Sequence, residues 1–412
     1  MRKLLLPVSV MVTASAGLLL AGWRGDAQRA KSISQSGGDG HSGTIIGQAL
    51  PGLTAEQLAA FDNGRRHFST IETAADGLGV VFNGTSCAEC HKAAAIGGAG
   101  IDLTISRVSR IGGIRGGAYT DLPELGGPVM QARSLREFDP RCPVPGEIVP
   151  REANFVSHRI TTPLFGAGLI EAIPDRTILA RAGRPDRDGV NGVANRMINP
   201  ETGLLEVGKF GWKAQHGSLH VFAGDAYLNE MGVSTPAFPV ENQPQGRPIP
   251  PGWGAPGIEE TDDEDLGGFT DFMRYLAPPG RRQPETPMVQ NGERLFDAIR
   301  CTACHVPAME TGPNAVRALA FKNVPLYSDL LLHRMGPALA DGIQQSLAKG
   351  DQFRTAPLWG LSRRQFFLHD GRARTPDEAV QMHDGEAAAA RARYMKLSPQ
   401  ERQAVQGFLG IL

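Results

Sequence analysis

Four of the five cysteines lie in two copies of one pattern, Cys87-Ala88-Glu89-Cys90-His91 and Cys301-Thr302-Ala303-Cys304-His305. Two thiols at this spacing match the two vinyl groups of haem c, and a histidine directly after them lies where an axial iron ligand is needed. Thiol–disulfide enzymes and zinc sites also contain Cys-x-x-Cys pairs. The histidine in both copies, and the long chain between them, favour two covalently attached haem c groups with His91 and His305 as iron ligands.

The group on the other face of each iron decides the chemistry, because a filled sixth position favours electron transfer and an open one admits a small oxidant. Residues 375–378 (Thr-Pro-Asp-Glu) predict the start of a helix that ends near Met382 and His383. These two side chains lie about 100° apart around the helix axis, so only one can face the iron. The apolar face formed with Ala379 and Val380 favours His383 over Met382, and a helix-capping role for His383 stays open.

The N-terminal iron has no evident second ligand in the sequence. His216 and His220 have the spacing of a metal-binding pair, but Gly217 weakens a helix between them and a solvated pair is favoured. The remaining histidines of the predicted domains give no clear ligand either; they are His67, His158, His333 and His369. The N-terminal haem is therefore the predicted site for peroxide binding.

The N-terminus has the layout of a secretory signal, with Met1-Arg2-Lys3, an uncharged run at 4–22 and small residues up to Ala27. We expect residues 1–27 to be a signal peptide and residues 28–44 to be a flexible tether. The protein is therefore predicted to be periplasmic, and to associate with a membrane only if the signal is uncleaved. In an exported protein the odd Cys142 is a buried apolar residue, a free thiol or an intermolecular link, and burial is favoured.

The composition favours two helical domains with long loops. The 412 residues carry a formal net charge of -1, which gives no field for nucleic acid binding, and include 51 glycines and 30 prolines. We place an N-terminal cytochrome c-like haem domain with insertions at 45–283 and a C-terminal one at 284–412, both mainly α-helical. An apolar pattern predicts a helix at 265–276 that closes the first domain, and Ser398 is the predicted cap of the last helix.

Six runs outside the two motifs carry a family resemblance. They are PLFGAGLIEAIP at 163–174, VGKFGWKA at 207–214, YSDLLLH at 327–333 with the following Met-Gly at 335–336, FRTAPLWG at 353–360, FLHDGRART at 367–375, and EAV at 378–380 with HDGEA at 383–387. Together they resemble the bacterial di-haem oxidoreductase and peroxidase family, formerly labelled thiol oxidoreductases, over most of the chain from about residue 50. This family is distantly related to the di-haem cytochrome c peroxidases.

The resemblance implies a direction for the electrons. They are expected to enter at the C-terminal haem from a small exported cytochrome c or cupredoxin, and to reduce hydrogen peroxide at the N-terminal haem. A pure electron-transfer cytochrome with two six-coordinate haems and a di-haem enzyme that modifies a partner protein are the alternatives. In the relatives a Met or Tyr lies where His383 falls here, and two nitrogen ligands give a lower potential than His with Met.

The resemblance also suggests roles for individual residues. Glu171 is a candidate acid–base residue near the N-terminal haem, and Trp212 is a candidate bridge between the haems. An exposed carboxylate and an ordinary core tryptophan are the alternatives. Arg354, Arg372 and Arg374 are candidates for pairing with haem propionates, since a guanidinium group binds a carboxylate in a bidentate manner; surface salt bridges are the alternative.

The relatives hold calcium between their domains, and residues 186–192 (Asp-Arg-Asp-Gly-Val-Asn-Gly) have the oxygen-rich composition of a calcium loop. Val190 and the absence of Glu at the twelfth loop position, where Met197 stands, depart from the calcium pattern. A turn is therefore favoured over a Ca2+ site.

Overall fold

The computed structural model of the protein describes residues 45–255, 260–284 and 286–412, with the backbone alone at 260–263. The predicted signal peptide and tether lie outside the described residues. Within them, the α-helices are α1 Ala55–Ser69, α2 Cys87–Cys90, α3 Ala167–Glu171, α4 Asp175–Leu179, α5 Leu219–Met231, α6 Glu260–Tyr275, α7 Pro287–Ala298, α8 Pro376–Met382, α9 Ala388–Met395 and α10 Pro399–Leu409. No helix in the described ranges has the length and apolarity needed to cross a bilayer.

Side-chain caps start α8 and α10 at the two places where the sequence predicts them. The hydroxyl of Thr375 accepts the backbone N–H of Glu378 at 3.1 Å, and α8 follows it. Ser398 and Glu401 form a capping box at the start of α10. Both predicted helix starts are confirmed. The predicted helix at 265–276 is also confirmed as the greater part of α6.

The strands are the part of the fold that the sequence did not predict. They are β1 Val81–Phe82, β2 Arg107–Arg115, β3 Ala118–Thr120, β4 Val129–Met130, β5 Arg133–Ser134, β6 Phe155–Ile160, β7 Arg196–Ile198, β8 Leu205–Val207, β9 Met309–Glu310, β10 Asn323–Val324, β11 Leu332–Arg334 and β12 Gln352–Arg354. Helices make up 31% and strands 14% of the structure, so a mainly helical fold is not confirmed. Burial along β2 does not alternate from residue to residue, which is why no period of two was visible in its sequence.

One antiparallel sheet contributes to the region between the two motifs. β2 is its long strand and pairs with β6 from Arg107 with Ile160 to Gly112 with Phe155. β4 and β3 also pair with β2. The other pairings are two-stranded and antiparallel: β1 with β5, β7 with β8, β9 with β10, and β11 with β12.

The larger hydrophobic core draws residues from both predicted domains. Phe68, Phe82 and Leu276 of the first domain pack in one cluster with Leu326 and Trp359 of the second. A smaller core lies wholly in the second domain and includes α7 and α10. All the described residues belong to one compact unit. The division between residues 283 and 284 stays a prediction.

A close helix contact depends on a glycine. A Cβ atom at Gly64 of α1 would lie 2.2 Å from the backbone oxygen of Gly268 in α6, whereas a Cβ atom at Gly267 would have no atom within 4 Å. Only a glycine allows α1 and α6 to approach this closely, because real Cβ atoms do not come so near to backbone oxygen.

Alanine substitutions at these two glycines should change stability in opposite directions. Gly64→Ala should lower the free energy of unfolding by about 1–3 kcal/mol, since the helices must separate. Gly267→Ala, the matched control in α6, should raise it by roughly 0.5–1 kcal/mol through helix propensity. Denaturant unfolding of the two variants and the wild type measures both changes. Equal effects at the two positions would contradict the helix contact.

Candidate haem sites

Two cavities open at the two Cys-x-x-Cys-His motifs. We call the one lined by both cysteines and the histidine of 301–305 the C-terminal cavity, and the one lined by those of 87–91 the N-terminal cavity. Apolar side chains form most of the C-terminal lining, as expected for a site that receives a large flat apolar group. The N-terminal lining mixes apolar residues with several polar ones.

Each motif is a single tight turn that gathers its three functional side chains. In the first, Ser86 caps α2, and the backbone N–H of His91 donates to the carbonyl of Cys87 at 3.0 Å. In the second, the N–H of His305 donates to the carbonyl of Cys301 at 2.9 Å. Arg300 precedes it with a positive φ of 71°, which ends α7 and turns the chain into the motif. The same bond pattern therefore gives both motifs the same local form.

The thiols of the motifs do not resemble those of redox-active or zinc-binding pairs. Burial raises the pKa of Cys90 and of Cys301 to about 12, so both thiols stay protonated at neutral pH. Thiol–disulfide enzymes and zinc sites depend on thiolates and on lowered thiol pKa values. The surroundings of these cysteines thus fit covalent haem attachment better than either alternative.

Both motif histidines are held with one ring nitrogen free. Nδ1 of His91 lies 3.2 Å from the carbonyl oxygen of Gly98, and Nδ1 of His305 lies 3.0 Å from that of Tyr327. A carbonyl oxygen only accepts hydrogen bonds, so Nδ1 carries the proton and Nε2 keeps its lone pair. Burial lowers the pKa of both rings to about 4, which keeps them neutral. A neutral imidazole with a free Nε2 is the form that binds a metal.

His383 adds a second imidazole of the same form to the C-terminal cavity. It follows the last residue of α8, and its Nδ1 lies 2.6 Å from the carbonyl oxygen of Ala379. Burial lowers its pKa as well, so the ring is neutral. His383 and His305 both line this cavity, whereas Met382 is not among its described lining residues. The ring caps the helix end through Nδ1 and still has Nε2 free, so the two roles weighed for His383 are compatible.

The N-terminal cavity has His91 as the one histidine among its described lining residues. Met231 of α5 and Met273 of α6 also line it, and so do Gln215 and Glu230. Four of the other histidines considered for this iron have carboxylate or hydroxyl partners, and the remaining two, His333 and His369, line the C-terminal cavity instead. His67 contacts Asp265, His158 contacts Ser109, His216 contacts Asp225 and His220 contacts Glu201. His216 and His220 thus bind different carboxylates rather than one metal.

One buried arginine, Arg354, and one partly buried arginine, Arg364, line the C-terminal cavity without a carboxylate partner within the described chain. Arg354 donates from Nε to the carbonyl of Gly211 at 2.9 Å, and one of its terminal nitrogens has no partner. Arg364 donates to the carbonyl of Pro357 at 2.9 Å, and its Nε has no partner. Burial lowers the pKa of each to about 10. Such cations call for an anionic ligand, and the propionates of a haem fit that need.

The other predicted arginines do not reach this cavity. Arg372 is exposed and donates to Asp370 and to the carbonyl of Ala338. Arg374 packs against the ring of Phe366. Arg364 was missed because its neighbour in the sequence is also an arginine, and no local pattern marks which of the two is buried.

Trp212 lies between the cavities and lines both of them. Its indole N–H donates to the carbonyl of Ile160 at 2.8 Å, and its own carbonyl accepts the N–H of Arg354 at 2.8 Å. Ile160 and Thr161 also line both cavities. The wall between the two candidate sites is therefore one residue thick in places, and the tryptophan is part of it.

Glu171 lines neither cavity among the described residues. One oxygen of its carboxylate accepts the N–H of Leu219 at 2.7 Å, and the other binds Arg274 at 3.2 Å. These contacts hold the start of α5 against α6, so the acid–base prediction for Glu171 has no geometric support. Glu230, at the other end of α5, lines the N-terminal cavity, and burial raises its pKa to about 7. Nothing in the sequence around Glu230 marked it.

The predicted Ca2+ loop is a turn whose carboxylates bind arginines. Asp186 accepts the N–H groups of residues 188 and 190 and contacts Arg300, while Asp188 binds Arg300 and Arg393. These cations take the places that Ca2+ would fill, so the Ca2+ prediction is unsupported. No group of three or more His, Cys, Asp or Glu side chains in the described ranges could hold a metal ion. Cys142 is a free thiol, 1% exposed, in the larger core.

Comparison with known proteins gives a family. The sequence model of the family described as "Di-haem oxidoreductase, putative peroxidase" matches residues 149–412. This span contains the second motif, His383 and Trp212, while the first motif precedes it. A search of curated proteins gave no significant match.

Several solved structures show a distant likeness. Hydrazine synthase from Kuenenia stuttgartiensis is 15% identical with a TM-score of 0.40, and the match covers 98% of each chain. The diheme peroxidase BthA from Burkholderia thailandensis is 15% identical with a TM-score of 0.40, over 86% of each chain. A MauG-like protein associated with microbial copper homeostasis is 15% identical with a TM-score of 0.40, over 87% of this chain and 90% of that one. Because its family model covers more than half of the sequence, this chain belongs to the di-haem oxidoreductase family.

Proposed function

We propose that the protein is an exported di-haem c-type cytochrome that reduces hydrogen peroxide at the N-terminal cavity with electrons received through the C-terminal cavity. The proposal rests on one observation. Two cavities, each with a neutral motif histidine, share the wall that contains Trp212. Only the C-terminal one has further histidines among its described lining residues, and of these His383 is held through Nδ1 by a backbone carbonyl, as the motif histidines are. A filled site suits electron transfer, and a site with an open position suits a small oxidant.

Haem, when bound, supplies the iron that exchanges single electrons and cleaves the peroxide bond. His305 and His383 would hold the C-terminal iron through their free Nε2 atoms. His91 would hold the N-terminal iron. Arg354 and Arg364 would bind the propionates of the C-terminal haem.

Glu230 is the proposed acid–base residue of the N-terminal cavity. Peroxide reduction consumes two protons and two electrons and releases two waters, so a group that moves protons is needed beside the site. A carboxyl group with a pKa of about 7 is partly ionised at neutral pH and can accept a proton and return it. Gln215, which also lines the cavity, has an amide that can orient the bound peroxide.

The electron donor and the compartment complete the proposal. A small exported cytochrome c or cupredoxin supplies electrons singly, and the protein works in the periplasm after removal of residues 1–27. Both points rest on the sequence of the leader and on the family. Trp212 is the proposed path between the sites, because it is the aromatic side chain that lines both cavities.

Met231 and Met273 support a second candidate function, that of a pure electron carrier. Both thioethers line the N-terminal cavity, and either one bound to the iron would close the open position. In that case the reduced protein would bind neither carbon monoxide nor cyanide and would show no high-spin signal.

Covalent attachment should give two haems per chain in a host able to attach haem c. Mass spectrometry of the denatured wild type should show two added haem masses. Cys87→Ala with Cys90→Ala, or Cys301→Ala with Cys304→Ala, should each leave one. Cys142→Ser is the matched control and should keep both, because Cys142 is not among the described lining residues of either cavity. Colourless protein, or a single iron in the wild type, would overturn the proposal.

Peroxide should react with one haem of the half-reduced protein. Stopped-flow mixing should give a fast spectral change at the N-terminal haem, while the low-spin signal of the C-terminal haem changes only in oxidation state. Prior binding of cyanide should abolish the fast phase, since it fills the same open position. If neither haem responds and neither binds cyanide, the electron-carrier function is correct instead.

Replacing Glu230 should remove most of the proton transfer. Glu230→Gln should lower kcat for peroxide by about 10²–10⁴-fold at pH 8. The wild-type rate should rise with pH through about 7, because the ionised carboxylate is the base, and the variant should lose this rise. Glu201→Gln is the control, because Glu201 is an exposed residue whose carboxylate contacts His220. A large loss in Glu171→Gln with none in Glu230→Gln would assign the role to Glu171.

A further inference from the structure

His333 is a buried histidine whose two ring nitrogens both contact carboxylates. Its Nε2 lies 2.9 Å from Oδ2 of Asp329, and its Nδ1 lies 2.8 Å from Oε2 of Glu386. The three side chains are 4%, 3% and 12% exposed, respectively. His333 lines the C-terminal cavity, yet none of the haem-binding roles proposed above involves it.

The ring of His333 must be an imidazolium. A carboxylate oxygen only accepts hydrogen bonds, so both ring nitrogens need a proton to satisfy both partners. Burial opposes this charge, but hydrogen bonds to Asp329, Cys304 and Glu386 outweigh it and hold the pKa of His333 well above its usual value. Charge-assisted hydrogen bonds are about twice as strong as neutral ones, so the three side chains form a firm link.

Asp329 fastens this link to the second motif. Its backbone N–H donates to the carbonyl of Cys304 at 2.9 Å. Nδ1 of His333 also lies 3.5 Å from the sulfur of Cys304. The residue after Cys304 is His305, so one end of the link lies at the segment that carries the first imidazole of the C-terminal cavity.

Glu386 fastens the link to the segment that carries the second imidazole. It lies in the 3₁₀ turn Gly385–Ala387, which begins two residues after His383. Its carboxylate also accepts the backbone N–H groups of Asn191 and Arg334, at 2.8 and 3.0 Å. These three bonds fix the turn relative to the rest of the cavity wall.

We propose that His333 is a positioning residue that joins the motif 301–305 to the turn 385–387 and thereby selects His383, rather than Met382, as the sixth iron ligand. The inference rests on the proposed function, in which His305 and His383 hold the C-terminal iron.

The helix α8 does not by itself determine whether Met382 or His383 becomes the sixth iron ligand, so a contact outside the helix must do so. The two residues are neighbours at the end of α8, and their side chains lie about 100° apart around the axis. His383 itself has an extended backbone, with φ -61° and ψ 134°, so the regular helical bonds of α8 do not set the path of the chain beyond it. The turn held by Glu386 sets that path instead.

The experiment compares His333→Gln with the wild-type holoprotein. Gln is neutral and has both of its N–H donors on one nitrogen, so it cannot bridge two carboxylates that contact opposite ring nitrogens of His333. The turn 385–387 should therefore loosen. We expect both haems to stay attached, and the ratio of His383-ligated to otherwise ligated C-terminal haem to fall roughly tenfold or more. Electron paramagnetic resonance and the visible spectrum report ligand identity, and a rise in midpoint potential reports Met ligation.

Two further variants make the test decisive. Glu386→Gln keeps an oxygen for only one of the two backbone N–H groups and removes the charge, so it should show the same change of ligand. His333→Gln combined with Met382→Leu should be high-spin instead of Met-ligated. His220→Gln is the matched control, because His220 also contacts a glutamate, Glu201, but is more exposed than His333. This variant should keep the wild-type spectrum.

The outcomes separate this inference from the proposed function. A wild type without any low-spin bis-histidine signal would show that the proposed ligands are wrong, whatever His333 does. A normal wild-type signal that survives in both His333→Gln and Glu386→Gln would overturn the positioning role alone. If His333→Gln loses its second haem, the spectrum of Glu386→Gln decides between the same two results.

Discussion

The hydrogen bond from an imidazole Nδ1 to a backbone carbonyl is the constraint on which both sites depend. It recurs at His91, His305 and His383, each time with a carbonyl from a different local structure. The bond fixes the tautomer and the ring plane together, so Nε2 is free in the folded chain before any metal arrives. Burial keeps all three rings neutral. Iron ligation thus needs no proton loss from these rings.

Each predicted domain contributes residues to a cavity or a core that lies mainly in the other one. The turn at 186–190 comes from the first predicted domain, but Asp188 and Val190 line the C-terminal cavity of the second. In the opposite direction, Leu326 and Trp359 of the second predicted domain fill the core of the first. Trp212 and Ile160 line both cavities. A change at one site therefore has a short packed route to the other, and independent folding of the two predicted domains is not expected.

Sequence reasoning succeeded where the determinants are local. The cap of α8 and the capping box of α10 each lie within a few residues, and their spacing alone predicts the local form. It failed where position depends on distant contacts. Arg354 and Arg372 both lie in runs that carry the family resemblance, yet only Arg354 is buried at a cavity. The carboxylate of Glu171 contacts the start of α5, and Glu230 lies near the end of that helix. Only tertiary packing shows which of the two carboxylates lines the N-terminal cavity.

The distribution of buried charge distinguishes structural cations from ligand-binding ones. Lys213 is fully buried, but its ammonium group contacts Asp341 and two backbone carbonyls, so the fold itself satisfies it. His333 is likewise satisfied by two carboxylates. Arg354 is buried and Arg364 is partly buried beside a cavity, and both have only carbonyl partners among the described residues, each with an unpartnered nitrogen. Removing a guanidinium from water without a counter-ion costs several kcal/mol. The chain without haem bears that cost, and a bound dianionic porphyrin edge would relieve it, so haem binding and the stability of this region are coupled.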